Sequence, residues 1–190
     1  MYVKKYPIAN LGMKNKVFLR NIVFIIILCF NLAFDQWSKN VARETLRYEE
    51  QIKLLDNRLT LVKVENLGAF LSFGDSMPEW LRFLLLTLLP LLVLAAGMYH
   101  LFSNRNLPTT YAIGLCFVIG GGAGNIYDRI LHGSVTDFLH LDFGLFQTGV
   151  FNLADVSIML GMLMLLCQIF IKRTVVSRHQ DTAEPHADVL

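Results

Sequence analysis

The chain has 190 residues, 54% of them hydrophobic and only 17% charged, with a mean hydropathy of +0.48. A soluble domain carries about 45–50% apolar and about 25% charged residues, so this composition points to a membrane protein. The formal net charge of +2, without a Lys/Arg tract, argues against nucleic-acid binding.

A membrane-spanning helix needs about 20 mostly apolar residues. A polar stretch, 1–14, precedes the first such run, 17–34, in which Arg20 is long enough to snorkel to the interface. With Lys4, Lys5, Lys14 and Lys16 ahead of it, this run alone could be a signal peptide. Three further runs downstream, and no A-x-A site after the first, favour an uncleaved helix.

The segment 35–79 mixes charge with apolar residues. Trp37, Val41, Leu46, Ile52 and Leu55 recur at roughly helical spacing, which predicts a helix lying on the membrane surface over 37–55. Residues 59–64 alternate and are β-branched, and Gly68 and Gly74 follow, which predicts a short strand or hairpin. Three more spans are expected at 80–102, 110–130 and 151–171, then a polar tail, 175–190. The expected fold is an all-α membrane protein of four transmembrane helices, in one domain over 1–190, with a small extracytoplasmic β platform and an interfacial helix. Cys29, Cys116 and Cys167 each lie within apolar runs and read as small hydrophobic residues, not as a disulfide or zinc framework.

Lysine and arginine placement sets orientation. Nine basic residues fall on the side of the two ends: Lys4, Lys5, Lys14, Lys16, Arg20, Arg105, Lys172, Arg173 and Arg178. The opposite side holds six in 35–79 plus Arg129, diluted by eight acids in that segment. Both ends are therefore expected in the cytoplasm, with the 35–79 segment facing outward.

Polar groups in or beside spans are costly and therefore informative. Asp35 and Lys39 follow the first span, and Asn66 and Gly68 lie in the outer segment. Asn125, Asp128 and Arg129 close the third span, Asp137 lies in the connection, and Asn152 and Asp155 open the fourth. The topology puts all of them at the outer face. Two carboxylates close together in a poorly solvated place cannot both ionise easily, which leaves one acid and one base near neutral pH. Such a pair could activate a water against a peptide carbonyl.

Plainer readings exist for each residue. Asp155 could be a helix-opening charge and Asp137 a turn residue. Asp128 beside Arg129 reads as structural pairing, and Asp35 as an interfacial residue partnered by Lys39 at i+4. His132, His140 and Asp142 read as interfacial loop residues. The run Gly120–Gly124 reads as a close-packing helix surface, not a phosphate cradle. No H-E-x-x-H or G-x-S-x-G motif is present, which argues against a zinc protease and that class of serine hydrolase. An ion or proton transporter would place carboxylates at mid-bilayer, and a non-catalytic assembly protein would tolerate loss of both Asp137 and Asp155. Residue chemistry alone thus stops at an outer-face membrane enzyme or binding site.

Five motifs go further. DQWSK at 35–39, ENLGAF around Asn66, GGGAGNIYDR ending at Arg129, VTDF containing Asp137 and FNLAD ending at Asp155 run over about 120 residues. Their order and spacing resemble the signal peptidase II family, the prolipoprotein signal peptidases. The resemblance implies an aspartyl endopeptidase of the bacterial cytoplasmic (inner) membrane, with Asp137 and Asp155 catalytic and Asp128 supporting. It implies that Asn66, Gly68, Asn125, Arg129 and Asn152 line or brace the substrate site, supported by Asp35 and Lys39. The implied substrates are prolipoproteins carrying a diacylglyceryl group on the cysteine after the cut, held within membrane lipid. It further implies no metal or other cofactor, and inhibition by globomycin-like cyclic peptides. The chain departs from the family where Phe70 stands at a usual Ala and Thr136 at a frequent Val.

Overall fold

The structure, a computed structural model, describes residues 9–48, 50–68 and 77–183. Phe70, Gly74 and the outermost residues of both polar ends lie outside the described residues.

Helix α1, Ala9–Thr45, does not stop where the first apolar run ends. Asp35, Lys39 and Arg43 recur every four residues, so they share one helix face. The first two are buried against the neighbouring helices. A buried charged stripe therefore extends the helix past the apolar run, while Trp37 on another face is exposed. The surface helix expected over 37–55 is accordingly not a separate element. Up to Thr45 it is the end of α1, and Gln51–Leu54 is strand β1.

Strand β2, Leu59–Asn66, follows, and then helix α2, Glu79–Ser103. Within α2 the turn Leu84–Leu88 is widened to a π-turn just ahead of Pro90. Proline lacks an N–H and its ring crowds the preceding turn, and the wider turn accommodates both. Helix α3, Thr109–His132, ends at Gly133, whose φ of 75° closes the helix in the left-handed conformation. Strand β3, Val135–Leu141, leads back to helix α4, Leu153–Ala183. Four helices are long and apolar enough to cross a membrane: Asn15–Thr45, Glu79–Ser103, Thr109–His132 and Leu153–Ile171.

Helix α3 is the axis of the bundle. Half of its most apolar window is buried inside the protein, against 6%, 6% and 17% for the other three spans. The glycine run makes this possible. A Cβ on Gly120 would meet Asn31 of α1, one on Gly122 would meet Leu94 of α2, and one on Gly121 would run into the backbone carbonyl of Ala154 in α4. The expected close-packing surface is thus present, and it faces three helices. Lower in the bundle Phe24, Leu101, Ala112, Cys116 and Ile119 form the membrane core.

The three strands form an antiparallel sheet in the order β1-β2-β3. Between β2 and β3 the register shifts by one. Leu61 pairs with Leu139 but Val64 with Asp137, so Val62 and Lys63 stand opposite Phe138 alone. The chain after β3 folds back on it, with both Phe138 and Leu139 donating to the Phe151 carbonyl at 3.0 and 2.9 Å. Phe138 packs with Ala42 and Leu46, and Leu61, Leu139 and Leu153 close over them as a second core that ties the sheet to α1.

The glycine contacts give a differential test. Gly121→Ala meets backbone and should destabilise by about 2 kcal/mol or more, whereas Gly122→Ala meets only the movable tip of Leu94 and should cost about 1 kcal/mol or less. Thermal unfolding of the two variants in detergent measures the difference.

Candidate active site

The site is built outward from one buried ammonium. Lys39 is fully buried, with its Nζ 2.8 Å from Asp35 Oδ2 and 3.0 Å from Asp128 Oδ2. It donates a third contact, 2.8 Å, to Asn125 Oδ1. Asp35 in turn accepts from the Ala154 N–H at 2.9 Å, at the start of α4. Asp128 also pairs with Arg43 Nη2 at 3.0 Å, and Arg43 Nε donates to Thr136 Oγ1 in β3 at 2.8 Å. One cluster thus joins α1, α3, β3 and α4.

Above it lie the two other aspartates. Asn152 opens α4 as a reciprocal cap: its Oδ1 accepts from the Asp155 N–H at 3.0 Å, and Asp155 Oδ2 accepts from the Asn152 N–H at 3.2 Å. The Asn152 amide nitrogen is left to donate, to Asp137 Oδ1 at 2.7 Å and Asn125 Oδ1 at 3.1 Å. Asn125 donates to Asp155 Oδ1 at 2.8 Å, and Asn66 donates to Asp137 Oδ2 at 2.9 Å. Asn152 therefore bonds to both carboxylates, and Asn66 and Asn125 each brace one. Arg129 reaches across to the Gly68 carbonyl at 2.8 Å, and Gly68 N–H closes on Asn66 Oδ1 at 3.0 Å.

These groups line a cavity of about 70 Å³, bounded by Asn66, Asn125, Arg129, Val135, Asp137, Val150 and Asp155. That is room for a few waters. Asp137, on a strand and only 3% exposed, lies outside the spans. Burial raises its carboxyl most, and the Asp155 charge adds to this. Hydrogen bonds from Asn66 and Asn152 and the charge of Lys39 oppose them, and the result is a pKa of about 6. Asp155 sits differently, half-buried in the first turn of α4.

The ten residues expected from the sequence to form the site lie together here: Asp35, Lys39, Asn66, Gly68, Asn125, Asp128, Arg129, Asp137, Asn152 and Asp155. Several details differ. Asp128 pairs with Lys39 and Arg43 rather than with its neighbour Arg129, because successive helix residues point about 100° apart. Asp35 and Lys39 do pair at i+4, but buried, not at an exposed interface. Asp137 and His140 lie in strand β3, and His132 ends α3, so none of them is a loop residue. Arg43 and Gln36 also belong to the cluster, as does Thr136, which the sequence marks only as a departure from the family. Gln36 lies 3.1 Å from Asp128 and 3.2 Å from Asp35. The four-residue repeat Asp35, Lys39, Arg43 is the one signal that could have found Arg43.

Comparison with known proteins identifies the family. A family model described as signal peptidase (SPase) II matches residues 25–171. A lipoprotein signal peptidase of Azoarcus sp. is 35% identical over 155 residues, covering 80% of this chain and 85% of its own length. One from Borreliella burgdorferi is 31% identical over 172 residues, covering 87% of this chain and 98% of its own. Two solved bacterial membrane enzymes, determined by the in meso method, share the fold. One superposes with a TM-score of 0.66 at 20% identity, over 88% of this chain and 94% of its own. The other gives 0.68 at 22% identity, over 77% and 92%. The chain belongs to the signal peptidase II family.

Proposed function

We propose that this protein is a membrane aspartyl endopeptidase that removes the signal peptide from diacylglyceryl-modified prolipoproteins, cutting before the lipidated cysteine. The observation that carries the reading is the pair Asp137 and Asp155, bridged by Asn152 beside a cavity with room for a few waters at one end of the bundle. The name of the relatives, lipoprotein signal peptidase, supports the substrate class.

The two carboxylates divide the work by environment. Asp137, with its pKa raised to about 6, holds the proton. Asp155, at the start of α4 and accepting from Asn125 and the Asn152 N–H, serves as the base. Asp155 takes a proton from water as the water oxygen adds to the scissile carbonyl carbon. Asp137 gives its proton to the carbonyl oxygen, forming a neutral gem-diol. The carbon–nitrogen bond then breaks as the amine takes the proton from Asp155, and a gem-diol hydroxyl returns its proton to Asp137. Both aspartates end as they began, and no metal takes part.

A lipidated substrate stays in the bilayer, so the scissile bond must be met at the membrane boundary. The outer ends of α1, α3 and α4, where the polar groups gather, suit that level. Asn66, Asn125, Gly68 and Arg129 supply donors and acceptors for a substrate backbone unwound around the cut, since a helical backbone hides its carbonyls. In this reading both ends of the chain are cytoplasmic in the bacterial inner membrane and the site faces outward. Globomycin-like cyclic peptides would compete for the same cavity.

Cleavage of a diacylglyceryl-modified prolipoprotein by the detergent-solubilised protein tests the assignment. Asp137→Asn and Asp155→Asn should each lose about 10²- to 10⁴-fold or more in rate while remaining folded, the range for removing a positioned acid or base. Asp128→Asn should keep measurable cleavage. Normal cutting by Asp137→Asn would refute the mechanism.

The pH profile provides a second test. The folded pKa of Asp137 lies above the ordinary 3.8, so the proton the mechanism needs is held at low pH and lost as pH rises through about 6. kcat/KM of the free enzyme should therefore fall on the alkaline side of that value, as a property of the coupled pair. Asn66 stabilises the ionised form of Asp137, so Asn66→Ala should move the alkaline limb to higher pH. A limb that stays in place would count against this assignment of the proton.

A further inference from the structure

A second cleft, of about 430 Å³, opens on the sheet and is not used by the chemistry above. Gln51 and Lys53 of β1, Thr60, Val62 and Val64 of β2, and His140 of β3 line it together with Asn57, Asp142 and Val150. It adjoins the dyad cavity: Val150 lines both, and Val64 is the strand partner of Asp137. The register step between β2 and β3 makes this continuity possible. Phe138 and Leu139 are both drawn into the core under the sheet, so Asp137 and His140, three residues apart, both line this one surface.

We infer that this cleft receives the polypeptide that follows the lipidated cysteine, and that Lys53 selects for an acidic side chain in it. The inference rests on the substrate proposed above. Of such a substrate, the signal peptide and the acyl chains are apolar and belong in the bilayer. Only the chain beyond the cysteine is polar and outside, and the cleft is lined largely by polar groups: Gln51, Lys53, Asn57, Thr60, His140 and Asp142. An extended strand advances about 3.3 Å per residue, so the three residues from Asp137 to His140 measure about 10 Å. A substrate strand leaving the dyad reaches Thr60, and Lys53 paired with it, at about its third or fourth residue after the cut.

Charge favours an acidic partner there. Lys53 forms no ion pair among the described residues. The one carboxylate in its lining, Asp142, is engaged by its own loop. It accepts from the Gly144 N–H at 2.7 Å and from the Gln147 amide at 3.1 Å.

The test uses full-length protein and diacylglyceryl-modified substrates that differ only at the second and third residues after the cysteine, the third and fourth after the cut, carrying either Asp or Lys. Wild type should prefer the Asp substrate by about fivefold in kcat/KM, the size of one partly exposed ion pair. Lys53→Glu should invert the preference, which a purely structural role of Lys53 cannot produce. If Lys53→Glu does not fold, Lys53→Gln should bring the ratio near one. The same ratio in wild type and variants, whether or not it is near one, would overturn the inference while leaving the protease assignment intact. Wild type that cuts neither substrate would overturn both.

Discussion

The whole site depends on one charge that cannot reach water. The Lys39 ammonium is completely buried with Asp35, Asp128 and Asn125 around it. Removing two or three charges from water is expensive, and such a cluster holds only if geometry and further hydrogen bonds compensate. Here they do: the Ala154 N–H, Gln36 and Arg43 occupy remaining carboxylate lone pairs. The cluster therefore also dictates polarity further up. With its oxygen held by Lys39 and Asn152, Asn125 can present only its amide nitrogen to Asp155. Asn152, its own oxygen taken by the cap, can present only nitrogen to Asp137. A buried cation thus orients two amides, and the amides hold two carboxylates.

Those carboxylates are chemically identical and differ through their supports. Asp137 is carried by a strand pinned between β2 and the returning chain at Phe151, and it is buried nearly completely. Asp155 is carried by the first turn of a helix, half-buried. In the proposed mechanism this difference makes Asp137 the proton holder and Asp155 the base. The bundle beneath supplies rigidity, because glycines along α3 let three helices approach its backbone closely.

Much of this was legible from residue order. The four spans follow from apolar run length, and the i, i+3 spacing of Asn152 and Asp155 already fits a cap. The gathering of polar residues at one end follows from topology. What was not legible depended on partners far along the chain. Asp128 finds Lys39 and Arg43, and Arg43 finds Thr136 at a separation of 93 residues, which no local pattern encodes. The mixed stretch after the first span was misread for a related reason. Apolar and charged residues at helical spacing look the same whether the charges face solvent or a buried cluster, and here Asp35 and Lys39 face the cluster. The register step opposite Phe138 leaves no mark in the alternation of β2, yet it lets Asp137 and His140 line one continuous surface.

The central claim is that Asp137 and Asp155 act as one proton-sharing unit. Infrared difference spectroscopy of the purified protein, titrated across neutral pH, reads this most directly through the carbonyl stretch of protonated carboxyl groups. The account predicts one protonated carboxyl that is lost as pH rises through about 6 and is absent in Asp137→Asn. A spectrum in which no carboxyl titrates near that pH, or in which the signal persists in Asp137→Asn, would contradict it.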